Sequence, residues 1–313
     1  MISKNETIEN VILTINTFRR KKEGSEKWTI NGQKVVREKI SNYYDNKEPL
    51  QFIIPDFPWK SSNKRDKVMG DIPDDGELLS LYYFDYLMAS LSNIYPFDSV
   101  MYIFLDSYLF NDLIFIEDKT AKRYINEFKR VAKNFKHIKL LECKDLFPNA
   151  KTSKEIREEY VKKYCWSREE TEKRLKEKEK TAFERYNRGI PFLQEELAYW
   201  LEKLSEKEVQ NKFYNELMVE FVLRDIGLSN LLEEKTGKYI RCSRYAQDGN
   251  TTKLGIDFFA GGNGKNDAPW HRMLLRKLDG SFDWIRRKDG EKNPNYKLIT
   301  TNDGESGYFV EVE

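Results

Sequence analysis

Apolar residues recur along this chain in two alternating rhythms. Ile8, Val11, Ile12, Ile15 and Phe18 share one helical face and predict an amphipathic helix over 6–20; a second helical pattern follows Gly32, over about 33–44. The next apolar run, Leu50 to Ile54, is short and continuous, as a strand covered on both faces must be, and predicts a strand over 50–57. Val100 to Leu105, ending in Asp106, repeats that pattern, and His137 to Cys143 repeats it less cleanly. Helical spacing fills the gaps. One helix runs over 77–93, opened by Pro73-Asp74-Asp75-Gly76, whose carboxylates suit a helix N-terminus, and another runs over 119–135. Helix, strand, helix, strand, helix, strand is the order of a doubly wound, Rossmann-like α/β sheet.

The character changes from Ser153 to Tyr186, where Glu, Lys and Arg dominate and only Tyr160, Tyr164, Trp166, Leu175 and Phe183 interrupt them. Ser167 and Glu170 are spaced as a capping box. This insert, about 152–187, reads as a solvated helical hairpin; a mobile cover over a site is the bolder reading. Gly189 is placed to stop one helix and Pro191 to begin the next. Further helices follow over 193–204 and 213–223. After Gly237 the pattern returns to strands at 239–245, 254–260, 273–277 and 282–286. Asp248-Gly249-Asn250, Gly261-Gly262-Asn263-Gly264 and Asp279-Gly280 form the turns between them. These readings give one domain over 1–290, helices added to the sheet and a β-rich C-terminal segment. Residues 291–313, polar and glycine-containing, read as a loosely held tail.

Composition narrows the function classes. With Lys plus Arg at 54 and Asp plus Glu at 52, the chain lacks the excess charge that draws proteins to nucleic acid. No apolar run approaches the length of a membrane span and the first residues lack a signal-peptide layout, so a cytoplasmic protein with no membrane partner is expected. Cys143, Cys165 and Cys242 are odd in number and unpaired in spacing, and His137 and His271 are the only histidines, so neither a disulfide framework nor a metal site is expected. Walker, GxGxxG and GxSxG motifs are missing.

What remains is a set of basic and hydroxyl side chains near strand ends. Phe57-Pro58-Trp59-Lys60-Ser61-Ser62-Asn63-Lys64-Arg65 follows the first strand, and a loop between strand and helix is where open α/β sheets bind ligands. Its ammonium, hydroxyls and amide suit an anion, phosphate first of all. Asp106, at the end of a buried strand, serves either a site or the cap of the next helix. Arg188, Arg241, Ser243, Lys253, Trp270 and His271 complete the set, although each alone is as readily a solvated or core residue.

In order, these blocks resemble the pyoverdine/dityrosine biosynthesis family, whose best-defined members are isocyanide (isonitrile) synthases. Phe57, Pro58, Lys60, Ser61, Asn63, Pro73, Asp74, Gly76 and Glu77 match the first block; Asp106, Phe110 and Asp112 the second; Arg188 and Gly189 the third. Arg241, Ser243, Lys253, Gly255, Ile256, Pro269, Trp270 and His271 match the last. The resemblance implies a Rossmann-like fold and conversion of the amine of an amino acid, commonly tyrosine or tryptophan, into an isocyanide. It implies ribulose 5-phosphate as the carbon donor, no cofactor, and a downstream iron/2-oxoglutarate oxygenase as a pathway partner. Lys60, Glu77, Asp106 and His271 would be catalytic. Ser61, Asn63, Asp112, Arg188, Arg241, Ser243, Tyr245, Lys253 and Trp270 would bind substrate. The chain departs from the pattern where Ser107-Tyr108 replaces Gly-Arg and Tyr245-Ala246 replaces His-Pro. The alternative is a non-catalytic member that keeps the pocket to bind an amino acid or sugar phosphate.

Overall fold

The chain begins with two helices, α1 (Lys4–Phe18) and α2 (Gln33–Asp45), and then alternates: β1 (Leu50–Pro55), α3 (Asp75–Ser92), β2 (Ser99–Leu105), α4 (Ser107–Phe110), α5 (Asp118–Ala132), β3 (Ile138–Glu142) and α6 (Cys143–Leu146). A helical section follows, with α7 (Ser153–Tyr164), α8 (Arg168–Lys176), α9 (Lys180–Glu196), α10 (Ala198–Leu201), α11 (Glu206–Glu208), a π-helical stretch over Val209–Leu217, and α12 (Met218–Thr236). The last part holds β4 (Ile240–Ser243), β5 (Leu254–Gly255), β6 (Met273–Arg276), β7 (Phe282–Ile285), α13 (Arg287–Lys292), β8 (Tyr296–Thr300) and β9 (Gly307–Glu311). This is a computed structural model, and it describes residues 3–20, 32–245, 253–261, 267–301 and 304–313.

Strands β1 to β5 form one parallel sheet in the order β3-β2-β1-β4-β5. The alternation along β1 separates two cores. Phe52 and Ile54 face the layer of α1, α2, α3 and α5, whereas Ile53 faces α7, α9 and α12. A doubly wound sheet is therefore present, as the apolar pattern predicts. A second sheet has the order β7-β6-β9-β8. Its β6–β7 hairpin turns at Asp279-Gly280, where Gly280 takes φ 81°.

Several sequence expectations need correction. The charged hairpin is not a detached surface feature: Tyr160 and Tyr164 are buried in the second core, and the Tyr160 hydroxyl donates to the Arg224 carbonyl of α12. Arg157 and Arg185 also turn inward, to Asp118 and Asp225. Nor does Gly189 stop a helix. α9 runs through it and through Pro191, and a Cβ at Gly189 would stand 2.6 Å from the Phe221 ring, so glycine lets α9 and α12 close on each other. The tail after residue 290 is folded. β9 pairs with both β6 and β8, and Phe309 is buried against Met273 and Leu275; only alternate residues face inward, which hides the strand in a polar composition. The strands read at 239–245 and 254–260 shorten to β4 and β5. Asp248-Gly249-Asn250 and Gly262-Asn263-Gly264 lie outside the described residues.

The loop between β1 and α3 is fixed by three internal attachments. Phe57 takes the left-handed φ of 60°, a costly conformation for a bulky residue, and its ring sits 4.8 Å from that of Phe128 and 5.0 Å from that of Trp270. Lys60 Nζ reaches Asp74 Oδ2 at 2.8 Å and Glu77 Oε2 at 2.7 Å, and donates to the Pro269 carbonyl at 2.9 Å. Glu77 closes the capping box of α3 and accepts from the Tyr124 hydroxyl at 3.1 Å. Finally, Glu196 at the end of α9 accepts from the Ser61 hydroxyl at 2.5 Å and from the Ser62 amide at 3.2 Å, and its other oxygen pairs with Lys67. Asn63 Nδ2 donates to the neighbouring Glu195 carbonyl at 2.8 Å.

Removing one partner of such a buried cluster leaves uncompensated charge. Lys60→Met is expected to lose roughly 3–5 kcal/mol of unfolding free energy in urea denaturation, and Lys60→Met/Asp74→Asn/Glu77→Gln to recover much of it. A Lys60→Met protein as stable as the parent would show that the cluster does not hold the loop.

Candidate active site

The C-terminal ends of β1, β2 and β4 open onto a cavity of about 190 Å³. In this strand order the chain leaves β1 towards β2 on one side and enters β4 on the other, so the crevice lies at the topological switch point, where α/β sheets take their ligands. Asp56 and Asp106 line it from the residues that follow β1 and β2, and Arg241, Ser243, Arg244 and Tyr245 from β4 and its extension. Opposite them, α9 contributes Arg185, Arg188 and Phe192, and α12 contributes Phe221, Asp225 and Leu228. Trp59, Phe110, Leu113 and Ile114 extend the apolar wall; Lys253, Trp270 and His271 complete the lining. The result is a pocket with an aromatic side and a cationic side.

Burial governs the charges here. It pushes the Asp106 carboxyl up to about 7 despite the Arg244 guanidinium nearby, and raises Asp56 well above the usual carboxylate range, with Asp106 adding to the effect. Asp56 Oδ2 and Asp106 Oδ1 have no hydrogen-bond partner among the described residues. Burial likewise lowers Arg241 to about 10, and lowers Lys253 to about 8 with Arg241 adding to it. Arg241 Nε has no hydrogen-bond partner among the described residues. Arg244 donates to the Tyr245 hydroxyl at 2.7 Å and lies 5.5 Å from the Trp270 ring centre. Asp225 pairs with Arg185 and, at 3.3 Å, with Arg188, whose guanidinium stands 5.7 Å from the Tyr245 ring.

His271 lies at the edge of this pocket, with Nδ1 3.0 Å from Glu196 Oε1 but outside hydrogen-bond alignment. Burial lowers its pKa to about 3 even though Glu196 opposes the shift. Burial alone would raise Glu196, but Lys67 and His271 outweigh it and hold the carboxylate well below its ordinary range. With its pKa lowered in this way the imidazole favours the neutral form near pH 7.

The structure thus brings together Asp106, Arg188, Arg241, Ser243, Tyr245, Lys253, Trp270 and His271. It does not bring Lys60, Glu77, Ser61, Asn63 or Asp112 into the cavity lining. The first four are consumed by the loop attachments described above. Asp112 forms a bidentate pair with Arg224, at 2.7 and 3.0 Å, which joins the segment after α4 to α12. In this structure the Ser61 hydroxyl and the Ser62 amide serve the protein's own Glu196 carboxylate, and the Lys60 ammonium serves Asp74 and Glu77. Sequence reasoning missed Asp56, Arg185, Arg244 and Asp225. Asp56 was open to discovery, since it follows a buried strand as Asp106 does; Arg185 and Asp225 sit in charged helices with nothing to distinguish them.

Among the described residues, no helix is long and apolar enough to cross a membrane. The sequence profile of the family described as pyoverdine/dityrosine biosynthesis protein matches residues 40–299. The chain is 30% identical over 282 residues to the L-tyrosine isonitrile synthase of Xenorhabdus nematophila, covering 88% of this chain and 82% of that protein. It is 26% identical over 277 residues to the L-tryptophan isonitrile synthase AmbI1 of Fischerella ambigua, covering 87% and 84%. The fold matches the crystal structure of PvcA from Pseudomonas aeruginosa with a TM-score of 0.85 at 20% identity, over 97% of this chain and 99% of that one. With a profile match across most of its length and a relative at this identity, the chain belongs to the pyoverdine/dityrosine biosynthesis family.

Proposed function

We propose that the protein is an isonitrile synthase that converts the amine of an aromatic amino acid into an isocyanide, with ribulose 5-phosphate as carbon donor. The observation that carries this reading is a single cavity at the switch point that combines an aromatic wall, a cationic side and buried carboxylates. The named activities of the two synthase relatives support it. Such a reaction condenses the substrate amine with the ketone of the sugar phosphate, so the cavity must hold two anionic groups, one aromatic ring and a residue that moves protons.

Arg241, Lys253 and the half-exposed Arg188 are the groups for the phosphate and the amino-acid carboxylate. Phe110, Phe192 and Phe221 receive the aromatic side chain. Asp106, with its pKa near neutrality, is the acid/base, and the neutral His271 contributes hydrogen bonding and shape. Ser243 and Tyr245 flank the cationic side, and Trp270 closes the base of the pocket against Arg244.

Incubation of the purified protein with aromatic amino acids and ribulose 5-phosphate is expected to yield the isocyanide, or its N-formyl hydrolysis product, by mass spectrometry. No product from tyrosine or tryptophan would defeat the reading. Asp106 gives a second expectation. Its folded pKa of about 7 lies above the roughly 3.9 of an unfolded aspartate, so the folded state holds the proton more tightly and Asp106 costs stability as pH rises from about 4 through 7. Asp106→Asn is therefore expected to unfold at a higher temperature than the parent at pH 8, with the gap closing towards pH 4. It is also expected to lose at least about a hundredfold in kcat together with the rise in activity through pH 7. Unchanged turnover would remove Asp106 from the chemistry.

A further inference from the structure

The reading above gives Asp106 a role but leaves Asp56 without one, although the two carboxylates stand at the ends of adjacent strands. Parallel pairing sets Pro55 of β1 beside Phe104 of β2, so Asp56 and Asp106 emerge one and two residues beyond that pair at the same end of the sheet. Both line the cavity, Asp56 is 6% and Asp106 8% exposed, and each keeps one oxygen without a hydrogen-bond partner among the described residues. A buried carboxylate oxygen left without a donor is costly, and a donor brought by a ligand relieves that cost. The charged groups that act on the pair are Arg244 on Asp106, Arg244 and Arg20 on Asp56, and Asp225 as a like charge on Asp106. Arg20 is also bound to Asp257 and to the Arg244 carbonyl. Arg244 directs one nitrogen to the Tyr245 hydroxyl.

We infer that Asp56 and Asp106 form a receptor for a primary ammonium, which takes the α-amino group of the substrate and positions it for attack. An ammonium carries three donors on one centre, enough to satisfy both orphaned oxygens at once. The pair also supplies the proton acceptor the chemistry needs. One proton passes from the ammonium nitrogen to a carboxylate oxygen, leaving a neutral amine whose lone pair is free to attack a carbonyl carbon and a carboxyl group that holds the proton. Asp56 thereby becomes a second catalytic carboxylate beside Asp106. An amino acid bound this way places its carboxylate toward the guanidinium side, where Arg241 Nε has no hydrogen-bond partner among the described residues, and its side chain toward Phe110, Phe192 and Phe221.

This inference rests on the isonitrile-synthase reading for its choice of ligand, but its test reads binding without turnover. Titration calorimetry at pH 8 compares L-tyrosine with 3-(4-hydroxyphenyl)propanoate, which lacks only the amine. The parent is expected to favour tyrosine by at least about tenfold. Asp56→Asn is expected to reduce that preference to about threefold or less through lost tyrosine affinity, with the deamino acid bound as well as before or better. Asp106→Asn is expected to behave likewise, which guards against a folding defect peculiar to one variant. A preference that survives both substitutions, a parallel weakening of both ligands, or no binding of either ligand to the parent overturns the inference. Amine preference without isonitrile production would defeat the synthase reading and leave the receptor standing; isonitrile production without amine preference would do the reverse.

Discussion

The buried carboxylate of Glu196 is the point on which the site depends. It is fully enclosed at the end of α9, and a charge in that position survives only with close partners; Ser61, the Ser62 amide and Lys67 supply them. The cluster joins the loop after β1 to the helix that carries Arg185, Arg188 and Phe192, and so fixes one wall of the cavity against the sheet. His271 stands beside it, and the Trp270 carbonyl accepts from the Ser61 amide at 2.8 Å, which brings the last segment of the site into the same knot. The Lys60 cluster does the same for the base of α3 and Pro269. Together they hold segments separated by more than a hundred residues in one arrangement before any ligand arrives.

Beyond this knot, the pocket itself is left electrostatically incomplete. The structural clusters satisfy their carboxylates and ammonium groups, whereas Asp56, Asp106 and Arg241 each present a buried polar atom with no partner among the described residues. Burial pushes both aspartates towards the neutral form and Arg241 down from its ordinary value. Stability is sacrificed at these positions, and a zwitterionic ligand would restore it, since it brings a cation to the carboxylates and an anion to the guanidinium. The lysines also divide by place: Lys60 and Lys67 lie in the ion clusters, and Lys253 lines the cavity, where burial lowers its pKa to about 8.

The apolar periodicity made most of the sheet legible. Continuous runs at Leu50 and Val100 could only be strands covered on both faces, and the helices between them followed from spacing. Failures came where tertiary contact decides. Gly189 and Pro191 look like a helix boundary, yet close packing on Phe221 keeps α9 continuous. Phe309 alone marks the inward face of β9, too weak a signal in a polar tail. For the site, the residue types of the first loop suggest an external anion, whereas the Ser61 hydroxyl is held by Glu196, 135 residues away and marked by nothing in the sequence around it. Asp112 and Asp106 likewise look alike in sequence; the structure pairs the first with Arg224 and sets the second in the cavity lining.

The central claim is that the loop after β1 builds the pocket while the cationic groups near β4 receive the substrate's anions. The most direct measurement is the position of the phosphate in a crystal of the protein soaked with ribulose 5-phosphate. The expected result is a phosphate within hydrogen-bond distance of Arg241 or Lys253, with Lys60 still bound to Asp74 and Glu77. A phosphate held by Lys60, Ser61 and Asn63, with the Glu196 and Glu77 contacts broken, would contradict it.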